Sequence, residues 1–132
     1  MFEPESARLA ALRANEPDLK AVLAALDARS ETGAPGRRRR SLDAEFHRLV
    51  AAAARNPVHA VVTNALTALQ SNVVGQRADL TAEDDAAIVA AHRTIFDAIA
   101  GRDPEGARAA MHAHVIDVEQ RLGRVPVERA AS

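Results

Sequence analysis

The chain contains no cysteine, no tryptophan and no tyrosine, and three phenylalanines are the only aromatic residues among its 132. Without cysteine, disulfides and thiolate metal sites are excluded. Strands favour aromatic and β-branched residues, so the lack of aromatics argues against a sheet. The sequence has no apolar run of 18 or more residues and no basic, apolar leader at its start. It therefore predicts neither a membrane span nor a signal peptide, and we expect a cytoplasmic protein.

The residues that are abundant are helix formers. Apolar residues make up 48% of the chain, and alanine, leucine, arginine and glutamate dominate. The length suits one domain, and the net charge of −1 gives the chain as a whole little attraction for nucleic acid or an anionic membrane. The composition predicts an all-α protein.

Periodic apolar positions and capping signals predict about six helices with short connections, hence an antiparallel bundle. Asn15, Asn56 and Thr81 are predicted N-caps, the last in a capping box with Asp84. Ser41 is predicted to cap the third helix, which would place Asp43 in its first turn. The predicted helices cover residues 4–14, 16–29, 41–55, 57–74, 82–100 and 104–123.

Two segments are predicted to be loops from their glycine and proline content, residues 30–40 and 75–79. The first ends in four consecutive arginines, Arg37 to Arg40. Such a run can contact nucleic acid, but no aromatic residue or second basic patch accompanies it, so a solvated loop is the favoured interpretation.

Asp43 and His47 lie four residues apart, so on a helix their side chains stack on one face, beside the apolar residue Phe46. His92 and His114 also fall on the apolar faces of their helices. His59 and His112 follow no such pattern. The sequence thus predicts three inward histidines from three helices, with a carboxylate next to one of them.

A single inward histidine is usually a core residue that makes a hydrogen bond. Three imidazoles and one carboxylate are also a suitable ligand set for Zn²⁺ or another divalent first-row ion such as Ni²⁺ or Mn²⁺. Spacing alone leaves a metal site and a core histidine cluster as equal alternatives.

Taken in order, these residues resemble the FCD domain, the helical effector-binding domain of FadR-type regulators in the GntR family of transcription regulators. The resemblance covers residues 2 to about 122 and includes the opening Phe2-Glu-Pro. Its motifs are Asp43-x-x-Phe46-His47, Asn56, His92-x-x-Ile95, Ala98-Ile99-x-Gly101-x-Asp103 and Ala107-x-x-x-Met111-x-x-His114.

The resemblance implies a bundle of six or seven helices and a divalent metal, most simply zinc, held by four ligands: Asp43, His47, His92 and His114. It further implies a small organic-acid effector, a homodimer, and control of operator DNA by a winged helix-turn-helix domain that these 132 residues do not include. The expected domains are a ligand-binding and dimerisation domain over 1–124 and a flexible tail over 125–132.

One departure from the family pattern is Ala91, where glutamate often precedes the third ligand. Asn64 is a candidate effector contact, and Arg13 and Arg77 are possible carboxylate clamps. We expect no enzyme activity, since no nucleophile arrangement or general base is evident beside the ligands. The alternatives are a small helical metalloenzyme and a metal-free dimerisation module.

Overall fold

The computed structural model describes residues 2–31, 36–74 and 80–123, without the side chains of Arg37 and of residues 70–74. These ranges form six α-helices and contain no strand, which confirms the all-α prediction. The helices are α1 (Phe2–Arg13), α2 (Glu16–Ser30), α3 (Gly36–Ala53), α4 (Pro57–Val74), α5 (Ala82–Ala100) and α6 (Pro104–Gly123). None of the described helices is long and apolar enough to cross a membrane.

The predicted caps lie at the starts of their helices. Asn15 and Thr81 each accept a hydrogen bond from the backbone of the third helical residue, and the aspartate there bonds back to the cap. The Asn56 side chain accepts from the backbone nitrogen of Val58 at 3.0 Å. These bonds satisfy backbone donors that a helix leaves open at its N-terminus.

The prediction for the arginine run and the start of α3 is wrong. The helix begins at Gly36, so Ser41 is not its cap and Asp43 lies two turns inside it. Arginine is a good helix former, and Gly36 stands at the first helical position, where a glycine costs little. Arg39 pairs with Asp85 on α5 at 3.5 Å, so a contact distant in sequence supports the added turns.

The core lies between α1, α3, α5 and α6, with α2 packed on α3 and α5. Helix α1 can approach its neighbours closely because the side chains on its buried face are small. The buried alanines of that face are Ala7, Ala10 and Ala11, and Ala14, directly after the helix, is buried as well. Larger side chains from the other helices fill the centre, chiefly Phe46, Ile95, Ile99 and Met111. Helix α4 contacts α3 and, less extensively, α1, so it lies at the edge of the bundle.

His59 on α4 is buried, although the sequence pattern gave it no inward face. Its Nδ1 lies 2.7 Å from the Ser6 hydroxyl, and its ring stacks on Phe2 with 4.2 Å between centroids. Both partners belong to α1. The pattern failed here because the start of α1, rather than a neighbouring apolar stripe, covers this histidine. The predicted segments 75–79 and 125–132 lie outside the described residues.

Candidate functional site

Three helices bring one histidine each to the same place. A ligand atom from each of His47 on α3, His92 on α5 and His114 on α6 lies within 4.8 Å of the other two. The Nε2 atoms of His92 and His114 are 3.2 Å apart. The three helices predicted from spacing to carry inward histidines therefore converge.

Packing fixes the orientation of these rings. The His92 ring stacks on Phe46 with centroids 4.2 Å apart and planes 10° from parallel. His47 and His114 stack on each other with a centroid distance of 5.4 Å, and both meet His92 edge-on. Because Phe46 precedes His47 directly, one short stretch of α3 supplies a ligand candidate and the support for another.

Burial keeps two of the three imidazoles neutral. It lowers the pKa of His92 well below its usual range, and neighbouring His47 adds to the effect. Burial also lowers the pKa of His114 to about 4, with the same neighbour as the second cause. The Nδ1 atoms of both rings are buried without a hydrogen-bond partner in the described part of the chain. Neutral nitrogen donors with unmet bonding capacity are the form in which histidine binds metals.

His47 differs because a carboxylate lies beside it. Burial, the largest single effect, would lower its pKa, but Glu3 and Asp43 together outweigh burial, so the pKa lies above its usual value. Glu3 Oε1 is 2.9 Å from His47 Nδ1, although the ring N–H is not aligned for a good hydrogen bond. Burial would likewise raise the pKa of Glu3, and the contact with His47 lowers it instead.

Glu3 was missed as a site residue. It lies in the opening Phe2-Glu-Pro segment, which forms part of the resemblance. Its spacing along the sequence gives no indication that it contacts His47. The connection exists only because α1 packs against α3 and α6.

Asp43 lies at the border of the histidine cluster. Its Oδ1 is 3.9 Å from His92 Nδ1, but the carboxylate is not part of the tight set of three. The same oxygen accepts a hydrogen bond from Arg29 Nε at 2.5 Å. Burial raises the pKa of Asp43, and the Arg29 guanidinium opposes that rise. Asp43 thus faces a cation on one side and the imidazoles on the other.

Arg29 joins three helices behind the cluster. From α2 it bonds Asp43 on α3 and, through Nη2, Asp85 on α5 at 2.6 Å. Only 2% of its side chain is exposed. The sequence placed Arg29 at the end of a helix without a role, because its partners are 14 and 56 residues away.

The cluster opens into a cavity of about 330 Å³. Arg40 and Thr67 belong to its wall, whereas Asn64 is exposed on α4 and is not among the lining residues. The assignment of Asn64 as an effector contact therefore stays a prediction, without support from the cavity. Arg13 donates to the Ala54 carbonyl at 3.1 Å, and Arg77 lies outside the described residues.

The residues present fit a divalent ion. Three imidazoles, two of them neutral and with unpartnered nitrogens, surround one small volume, and a carboxylate borders it. Nitrogen and carboxylate donors in this combination suit zinc and the neighbouring first-row metals.

A comparison with protein families matches residues 1–117 to the model described as the FCD domain. The chain belongs to the FCD domain family. FCD domains are the regulatory, effector-binding domains of GntR-family transcription regulators. A comparison with curated proteins found no match. The family assignment confirms the resemblance carried by these motifs, which contain the three converged histidines.

Proposed function

We propose that this FCD domain senses a small carboxylate through a divalent metal held by Asp43, His47, His92 and His114. Zinc fits best, with nickel or manganese as alternatives. Bound there, the metal would supply a Lewis acid that anchors the carboxylate. The single observation that carries the proposal is the meeting of three imidazoles from α3, α5 and α6 within 4.8 Å.

The electrostatics of the cluster support a metal rather than a plain histidine core. In a core, a buried imidazole normally finds a hydrogen-bond partner for each nitrogen. Here the Nδ1 atoms of His92 and His114 lack one among the described residues. A third imidazole with a raised pKa next to them adds positive charge to an already desolvated site. A metal that displaces that proton would use all three rings as neutral donors.

Sensing would couple to DNA through the helices that carry the ligands. An effector changes a distant equilibrium only if it binds two arrangements of the protein with different affinity. Because the ligands come from three helices, a shift of any one of them changes the site. We propose that the readout is DNA binding by a winged helix-turn-helix domain outside these 132 residues.

We also propose a homodimer that forms through α4. This edge helix has no charged residue between Pro57 and Val74, and it leaves Val58 and Val61 more than 60% exposed. A second copy of α4 would meet that face without like-charge repulsion.

Val58→Glu/Val61→Glu should convert the dimer to a monomer, as measured by light scattering. Leu12→Glu, which replaces an exposed leucine on α1, should not change the oligomeric state. A wild-type monomer would refute this part.

The metal assignment is tested by the metal content of the purified protein. We expect about one zinc for each chain in the wild type and its loss in Asp43→Ala/His92→Ala, because four ligands set the affinity of such a site. His112→Ala, which removes an exposed histidine of α6, should keep the metal. An equal metal content in all three proteins would refute the site, provided circular dichroism shows that each is folded.

A catalytic role predicts turnover, and the structure gives one reason to look for it. Glu3 and Glu119 line the cavity, so carboxylates are present near the cluster, contrary to expectation. Glu3, however, already contacts His47, and its lowered pKa makes it a weak base. We propose a sensor without enzyme activity. Hydrolysis of simple esters or lactones by the metal-loaded protein, abolished by Glu3→Gln, would overturn this.

A further inference from the structure

The cavity beside the histidine cluster has an aliphatic wall that the proposed metal does not explain. Six of its lining residues are apolar and larger than alanine: Leu69, Leu80, Ile88, Val115, Val118 and Leu122. A volume of about 330 Å³ is in the range of small-molecule sites. The composition of the wall therefore indicates which part of a ligand the cavity receives.

The wall extends from the cluster in one direction. On α6, Val118 and Leu122 stand one and two turns after His114, and on α5 Ile88 stands one turn before His92. With a rise of about 1.5 Å per residue, Val118 and Ile88 form a layer roughly 6 Å from the imidazoles. A ligand anchored at the cluster would place its body in this layer.

Among the described residues, Ile88 and Val118 contribute only aliphatic side chains to this layer. A hydroxyl or a second carboxylate placed between Ile88 and Val118 would lose its water without gaining a hydrogen bond. The charges of the lining point the same way. Among the described residues that line the cavity, three are carboxylates, Glu3, Asp43 and Glu119, and one is an arginine, Arg40. A divalent ion would balance the charges of these four described side chains, so one ligand charge should be tolerated better than two or three.

We infer that the effector of this domain is a monocarboxylate with an apolar body, rather than a polyhydroxy acid or a polycarboxylate. The inference rests on the proposed function, since the carboxylate is held at the metal. It assigns Ile88 and Val118 as the residues that determine specificity, and it places the ligand tail along α6 toward Leu122.

The first test compares acids of similar length on zinc-loaded protein by calorimetry. Hexanoate should bind at least tenfold more tightly than adipate, which adds a carboxylate at the far end, and than gluconate, which adds hydroxyls. An apolar site rejects an added hydroxyl only by about 100-fold, so discrimination on the order of 10- to 100-fold is expected. Tighter binding of adipate or gluconate would overturn the inference, as would binding of none of the three acids.

The second test changes the wall without changing its shape. Val118→Thr adds a hydroxyl at nearly constant volume, and it should weaken hexanoate binding on the order of fivefold and narrow the preference over gluconate. Val89→Thr makes the same replacement on α5, at a residue that is not among the described lining residues, and should leave both affinities unchanged. Equal affinities in the two variants would overturn the role of Val118.

The metal content of each sample separates the two proposals. A protein that takes up no zinc contradicts the proposed function and the inference together. A protein that holds zinc and prefers adipate or gluconate retains the proposed metal site, while the apolar monocarboxylate is refuted.

Discussion

Arg29 is buried to an extent that is rare for a cation without paired carboxylates. Its guanidinium reaches Asp43 and Asp85 at 2.5 and 2.6 Å, and both acids remain more than a quarter exposed. Removing one member of a buried ion pair leaves the others desolvated without a partner. The arginine therefore holds α2, α3 and α5 together immediately behind a candidate metal ligand.

Arg29→Met, which keeps most of the side-chain volume, should lower the free energy of unfolding by about 2 kcal/mol; this is below the usual cost for fully buried pairs because the aspartates are partly hydrated. Arg39→Met is the matched control, since Arg39 reaches Asp85 at 3.5 Å from a more exposed position. It should cost under about 1 kcal/mol. Urea unfolding measures both, and equal losses would contradict the bridging role of Arg29.

His92 and His114 should make the metal-free protein sensitive to acid. Their pKa values are lowered in the folded state, that of His114 from 6.5 to about 4, so between these pH values the unfolded chain binds more protons. Stability therefore rises with pH across this window and is lost as pH falls through it. His114 alone accounts for up to about 3 kcal/mol, since each pH unit is worth about 1.4 kcal/mol.

His47 has the opposite effect on the pH dependence of stability. Its pKa is raised in the folded state, so its contribution to stability is lost as pH rises. The two histidines with lowered pKa values should dominate the pH dependence of stability. Urea unfolding of chelator-treated protein at pH 5 and pH 7 tests this: His114→Asn should flatten the dependence, and His112→Asn should not. A wild-type protein more stable at pH 5 than at pH 7 would show the sign to be wrong.

At the scale of single residues, the sequence predicts the features that follow from helical periodicity. Asp43, His47, His92 and His114 stand in register with apolar neighbours, so their inward direction follows from helical spacing. Glu3 and Arg29 could not be found this way. Each is defined by partners on other helices, and local spacing holds no information about which charged residue a tertiary contact will bury.

Among the helices, α5 carries His92, Ile88 and Asp85 of the site region, and its start is fixed by a capping box. The Thr81 hydroxyl accepts from Asp84 N at 3.0 Å, and the Asp84 carboxylate accepts from Thr81 N at 2.9 Å. The same carboxylate also pairs with Arg121 on α6 at 2.6 Å. The cap thus ties the first turn of α5 to its neighbour.

Thr81→Ala should lower the free energy of unfolding by about 1 kcal/mol, because it leaves a backbone donor at the helix start without its acceptor. Thr94→Ala is the matched control on the same helix. The Thr94 hydroxyl is exposed and bonds back to the Ala90 carbonyl, so its loss should be within about 0.5 kcal/mol of neutral. Thermal unfolding followed by circular dichroism distinguishes them, and equal effects would contradict the cap.

Helix starts with a capping residue were predicted to within a residue, as for α2, α4 and α5. The start of helix α3 was predicted five residues too late, because Ser41 resembles a cap and glycine and proline precede the arginines. The observed start at Gly36 agrees with the tertiary pairing of Arg39 with Asp85. Local capping preferences are worth about 1 kcal/mol, which a few distant contacts outweigh.

Across the whole molecule, α3, α5 and α6 share the proposed metal and also the main core, so metal binding and global stability should be linked. A ligand that binds only the folded state stabilises it by about 2.7 kcal/mol when its concentration is 100 times its Kd. Helix α4 supplies none of the proposed ligands and packs at the edge. The metal should therefore protect the three ligand-bearing helices more than α4.

Removal of the metal with a chelator should lower Tm by roughly 5–10 °C, given that about 1 kcal/mol corresponds to a few degrees in a domain of this size. Hydrogen exchange should accelerate together in peptides of α3, α5 and α6, and change less in α4. The variant His47→Asn/His92→Asn/His114→Asn should show neither response to the chelator. A uniform increase across all helices would indicate global destabilisation without a local site, and no change in Tm would favour a histidine core that binds no metal.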